Sequence, residues 1–146
     1  MMKILIIEDE IPARKKLRRL IEELDSPVEI VAETATVQAS IDFLRTNQPD
    51  LIFSDIELLD GNAFEIYGQV PVKCPIIFTT AYDQFWMDAF EGNGIDYLLK
   101  PFNKDRFLKA WHKFKMLKSA ASSEQAMITN LTKLIRENFP GQSWKK

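Results

Sequence analysis

The chain has 146 residues, with hydrophobic residues at 46%, charged residues at 27% and a net charge of −2, which suits one packed domain with an appendage and excludes a mainly disordered chain. Acids and bases nearly balance, so this segment has no electrostatic footprint for nucleic acid and is expected not to bind it directly. No apolar run approaches the ~20 residues that span a bilayer, no membrane partner is expected, and the single cysteine, Cys74, cannot form an internal disulfide, so the expected location is cytoplasmic.

Taken in chain order, Ile4–Ile7 is a continuous apolar run, as in a strand buried on both faces. Pro12 can open a helix. Leu17, Leu20, Ile21 and Leu24 then recur at three-four spacing, with Arg14, Lys15, Lys16, Arg18 and Arg19 on the other face. Val28–Ala32 reads as a second strand and Val37–Asn47 as a second helix. Leu51–Phe53 reads as a third strand, running into Asp55. A loop over Glu57–Asn62 leads to a short helix near Ala63–Gln69. Pro75 precedes a fourth strand, Ile76–Thr79, and Cys74 beside it is expected to be a small buried hydrophobe. Asp83–Glu91 reads as a helix, Ile95–Leu99 as a fifth strand, and Asn103 as the N-cap of a last helix, Lys104–Lys118. Alternating strands and helices imply parallel pairing with right-handed crossovers. The expected fold is therefore α/β: a flavodoxin-like doubly wound five-stranded sheet, order 2-1-3-4-5, with five flanking helices.

In such a sheet, ligands sit beyond the carboxyl ends of the strands. The first strand ends in Glu8-Asp9, the third near Asp55, the fourth in Thr79-Thr80-Ala81 and the fifth in Lys100-Pro101. Singly, each has a bland explanation as a cap, a turn former or a solvated charge. Together they gather three carboxylates, a hydroxyl and an ammonium at one sheet edge. Carboxylates so placed call for a hard cation, and Mg²⁺ keeps waters that phosphate oxygens can replace. A carboxylate is a competent nucleophile toward phosphorus, and lysine supplies a point charge for the incoming group.

Glu8-Asp9, Asp55, Thr80-Ala81 and Tyr97-Leu98-Leu99-Lys100-Pro101-Phe102 resemble the signature of response regulator receiver domains, over roughly residues 2–118. The resemblance implies that Asp55 is the phosphoacceptor. It implies an Mg²⁺ site made by Asp9, Asp55 and the Glu57 backbone carbonyl, with Glu8 acting through water. It makes Thr80 and Lys100 the phosphoryl-binding pair and Thr80 with Tyr97 the switch. A sensor histidine kinase is then the phosphodonor, and the domain is a self-phosphorylating acceptor, not a turnover enzyme. Two departures stand out: Glu8 replaces a common aspartate, and Leu59 stands where many receivers carry proline. The segments Ile7–Glu10 with Pro12-Ala13-Arg14, Phe78–Tyr82 and Ile95–Phe102 resemble LytTR-type regulators, in which a DNA-binding domain follows the receiver. That domain is absent from this chain, so a truncated protein regulating transcription and a stand-alone receiver acting on a protein partner both remain open. A dehalogenase-like phosphatase would want aspartate where Glu57 stands, and a flavodoxin-like cofactor binder would want a phosphate loop where Glu8-Asp9-Glu10 stands.

The expected organisation is a receiver over 1–118, a joint at 119–123, an amphipathic linker helix at 124–139 and a frayed tail at 140–146. Phe85, Trp86, Met87 and Phe90 cover more than one face of their helix, so Trp86 and Phe90, with Lys104, are expected on an output or dimer face. Homodimerisation on phosphorylation is the expected output. An apolar seam from Ala110 through Phe114 and Leu117 to Ile128, Leu131 and Ile135 would extend it. The Lys100–Pro101 bond is expected to be cis.

Overall fold

A computed structural model of the chain describes residues 1–81 and 94–119. The elements in order are β1 (Met2–Ile7), α1 (Ile11–Glu22), β2 (Val28–Thr34), α2 (Val37–Thr46), β3 (Leu51–Asp55), β4 (Glu57–Leu58), β5 (Gly61–Asn62), α3 (Phe64–Gln69), β6 (Ile76–Thr80) and β7 (Gly94–Leu99). A further helix, α4, covers 104–119. Five parallel strands lie in the order β2-β1-β3-β6-β7, which is 2-1-3-4-5 once the small β4-β5 ladder is left out of the count. The doubly wound α/β architecture is therefore the one expected.

The apolar runs of the central strands are buried: Ile4 to Ile7, Leu51 to Phe53 and Ile76 to Phe78 are all at most 2% exposed. At about 1.5–3 kcal/mol for each large apolar side chain, these runs dominate the stabilisation of the sheet. Leu5, Ile7, Ile52, Ile76 and Phe78 pack with Val37, Ile41 and Leu44 of α2 and Ile66 of α3. Alternation sends Phe53 to the opposite face, where it stacks on Phe107 of α4 with centroids 5.5 Å apart. The three-four repeat of α1 buries Leu17, Leu20 and Ile21, and Pro12 lies in its first turn as expected. Lys16 of that helix donates to the Phe102 carbonyl and sits over the Phe102 ring, 4.8 Å from its centre.

Strand β2 runs two residues past the expected Ala32, because its pairing with β1 continues to Ile7↔Thr34. The expected loop over Glu57–Asn62 contains the antiparallel β4-β5 ladder. Asn103 caps α4, its Oδ1 accepting from the Arg106 amide at 2.8 Å. The Lys100–Pro101 peptide is cis. Cys74 is half-buried, not fully buried as expected, and packs against the α2–α3 core. Burial pushes its thiol up to about 12.

Residues Met1–Trp111 form one compact unit. His112 begins a second, of which residues 112–119 are described and are helical. The expected Asp83–Glu91 helix with Trp86 and Phe90, most of the 119–123 joint, the 124–139 helix and the tail lie outside the described residues. Of the expected seam, Ala110 and Phe114 are buried and Leu117 exposed, and Ile128, Leu131 and Ile135 lie outside too. No described helix is long and apolar enough to cross a membrane.

Candidate functional site

Parallel strands in register deliver their carboxyl ends to one edge. Ile7 of β1 pairs with Ser54 of β3, Asp55 with Thr79 of β6, and Thr80 with Leu99 of β7. The residues that follow or end these strands therefore meet: Glu8, Asp55, Thr80 and Lys100. The Lys100 amide donates to the Thr80 carbonyl at 2.7 Å, which fixes the chain as it leaves β7.

The Lys100 ammonium lies 2.9 Å from Asp55 Oδ2, 2.6 Å from Glu8 Oε1 and 3.1 Å from Glu10 Oε1. Glu8 is fully buried and Asp55 is 4% exposed. Asp55 Oδ1 accepts the Ile56 amide at 2.7 Å and faces the Glu57 amide at 3.4 Å. One carboxylate oxygen of Asp55 is thus held by backbone and the other by lysine. The Ser54 hydroxyl donates to the Asp55 carbonyl at 3.0 Å, tying the strand end from behind.

Burial pushes the Glu8 carboxyl up to about 7, aided by the Asp55 charge and opposed by Lys100. Burial alone would lower the Lys100 ammonium, but its pairs with Glu8 and Asp55 hold it above the usual lysine range. Glu8 Oε1 has the Lys100 ammonium as its close charge partner. Glu8, Asp9, Glu10 and Asp55 can each place an oxygen within 4.8 Å of the others. Four clustered acids around one lysine fit a hard divalent cation.

Thr80 is fully buried at the end of β6. Tyr97 is half-buried, packs against the α2–α3 core cluster and pairs in register with Phe78. Asp9 is half-buried and the Glu57 side chain is exposed. Lys104 stands apart on α4, 3.4 Å from Glu23 of α1. Arg106 grips Asp96 at 2.6 and 3.1 Å. Both bases are ion-paired within the chain, including Lys104, which was expected on the output or dimer face. Glu10 was not singled out from the sequence. Its signal was the third place in the run Glu8-Asp9-Glu10, and its Lys100 contact spans 90 residues.

The profile of the response regulator receiver domain matches residues 4–112. The chain belongs to the response regulator receiver family. Among curated proteins, this receiver is 41% identical over 123 residues to the sensory transduction protein LytT of Bacillus anthracis, covering 82% of this chain and 50% of that protein. It is 39% identical over 132 residues to the transcriptional regulatory protein LytR of Staphylococcus aureus, covering 88% of this chain and 53% of that protein. The receiver spans about half the length of these relatives. Among solved structures, the response regulatory domain of mrkE from Klebsiella pneumoniae superposes with a TM-score of 0.70 at 34% identity, covering 80% of this chain and 97% of that one. A two-component response regulator from Clostridium difficile gives 0.68 at 28% identity, covering 80% and 97%.

Proposed function

We propose that Asp55 accepts a phosphoryl group from a phosphohistidine of a sensor histidine kinase. The observation that carries this is the buried Asp55 carboxylate held by backbone amides on one oxygen and by Lys100 on the other. Asp55 attacks phosphorus, the P–N bond breaks, and its electron pair leaves with the imidazole, which is then protonated. Lys100 offsets charge on the transferred group and the Thr80 hydroxyl donates a hydrogen bond to it. Asp9, Asp55 and the Glu57 backbone carbonyl would hold Mg²⁺, with Glu8 acting through water. When bound, Mg²⁺ neutralises acid repulsion and the charge of the phosphoryl oxygens. The acyl phosphate is the signal, so the domain works as an acceptor, not a turnover enzyme.

Phosphorylation biases a two-state equilibrium through Thr80 and Lys100, with Tyr97 turning in response. The receiver, over 1–118, then pairs with a second copy across a face bearing Trp86, Phe90 and Lys104. The name of the LytR relative, a transcriptional regulatory protein, supports a role in transcription through a LytTR-type DNA-binding domain outside these residues, and the proposed location is the cytoplasm. Incubation with acetyl phosphate and Mg²⁺ followed by intact mass is the test. A phosphoryl increment located on Asp55 is the expected result, and no increment would overturn the reading.

A further inference from the structure

Asp55 is followed by a loop that leaves the sheet at Ile56 and returns at Ala63, whose amide donates to the Ile56 carbonyl at 2.7 Å. Its two limbs pair as Glu57↔Asn62 and Leu58↔Gly61. Leu58 is anchored in the core at 8% exposure, whereas Leu59 is 74% exposed. A proline at position 59 would stiffen this tip through its fixed φ, and leucine does not. The tip is held instead by the next residue. Asp60 Oδ1 accepts the Val37 amide at 2.6 Å and Oδ2 the Gln38 amide at 3.1 Å.

Those amides belong to the first turn of α2, where a helix cannot satisfy its own donors. Thr36, the helix's own N-cap, takes the Ala39 amide at 3.0 Å. The Val37 and Gln38 amides are left to a carboxylate 22 or more residues away in sequence. The helix dipole favours that charge. Chiefly the Val37 amide holds the Asp60 carboxyl below its usual range.

We infer that Asp60 is a positioning residue for the Mg²⁺ site, locking the loop that carries the Glu57 carbonyl to the start of α2. The inference rests on the proposed role of that carbonyl. It also makes α2 sensitive to the site, because loop and helix start share one carboxylate.

The test compares wild type, Asp60→Ala, Asp60→Asn and Thr36→Ala. Amide hydrogen exchange is read without metal, and Mg²⁺ binding is read by calorimetry without phosphodonor. Asp60→Ala should speed exchange over 57–62 roughly tenfold and weaken Mg²⁺ roughly tenfold. Phosphoryl uptake at saturating Mg²⁺ should stay within about twofold, because the reacting groups are untouched. Asp60→Asn, which keeps an acceptor but no charge, should fall between. Thr36→Ala loses the cap of α2 alone, so it should lower the melting temperature while leaving Mg²⁺ affinity at the wild-type value. Unchanged exchange or unchanged Mg²⁺ affinity in Asp60→Ala would overturn the inference. Equal weakening of Mg²⁺ in Thr36→Ala would too, since Asp60 would then act only by stabilising the helix. Wild type that binds no Mg²⁺ would overturn the metal site itself, and this inference with it.

Discussion

Lys100 Nζ and Asp55 Oδ2 are an ion pair 2.9 Å long, formed between strand ends 45 residues apart. The same ammonium lies 2.6 Å from the buried Glu8. One ammonium therefore contacts three of the four clustered acids, Glu8, Glu10 and Asp55.

Lys100→Ala should destabilise the metal-free protein by less than the ~3–5 kcal/mol usual for breaking a buried pair. Glu8 is already pushed up to about 7 and takes up a proton before it bears an unpaired charge. Added Mg²⁺ should raise the melting temperature of this variant more than that of wild type. Thermal melts with and without Mg²⁺ check both points.

Asp55→Asn should keep the fold and reduce phosphoryl uptake from acetyl phosphate to background. The amide retains an acceptor for the Ile56 amide, now 2.7 Å from Oδ1, but is no nucleophile. Persistent labelling of the purified variant would refute the assignment.

Glu8 gives a pH signature. Its carboxyl is raised from 4.5 to about 7, so between those values the folded protein keeps a proton that the unfolded chain has released. Stability in EDTA should therefore fall as pH rises across this window, by on the order of 1–3 kcal/mol. The raised Lys100 works in another range: its contribution is complete below the unfolded lysine value and is lost only at strongly alkaline pH. Urea unfolding from pH 4.5 to 7 should show the slope in wild type and its loss in Glu8→Gln.

Chelation should abolish labelling. EDTA-treated wild type should take up no phosphoryl group, and Asp9→Ala should behave alike even at high Mg²⁺, because Asp9 completes the cluster with Glu8, Glu10 and Asp55. Undiminished labelling under either condition would contradict the metal requirement.

Pairing of receivers is checked by sedimentation. Beryllofluoride with Mg²⁺ should shift the chain from monomer toward dimer, and Tyr97→Ala should weaken the shift. An unchanged monomer with unchanged tryptophan fluorescence would rule out this output for the chain.

The meeting of these groups at one sheet edge was legible because each sits at or just past the end of a strand-like segment: Glu8 after Ile4–Ile7, Asp55 one residue beyond Leu51–Phe53, Lys100 after Ile95–Leu99. Periodicity locates such runs without knowledge of their partners. Glu10 and Asp60 were not legible in the same way. Their roles depend on a lysine and on helix amides that only the folded chain brings near. The β4-β5 ladder was missed because two-residue strands carry no alternation. Its turn, Leu59-Asp60, leads into Gly61, where φ is +155° and an added Cβ would lie 2.2 Å from the Glu65 carboxylate. That carboxylate accepts the Asn62 amide at 2.6 Å and could swing away, so it is the positive φ that calls for glycine here. The far end of β2 was missed because its extension comes from the neighbouring strand.

The Asp96–Arg106 pair has a consequence for how these molecules meet. Strand β7 stands at one end of the sheet, where unpaired peptide groups invite a strand from another chain. At Tyr97 both are taken: Asp96 Oδ1 accepts the Tyr97 amide at 2.8 Å, and Arg106 donates to the Tyr97 carbonyl at 3.3 Å. Two side chains of the same molecule thus occupy the hydrogen bonds that a foreign backbone would need there. At this point of the edge, strand addition would first have to break the bonds made by Asp96 and Arg106.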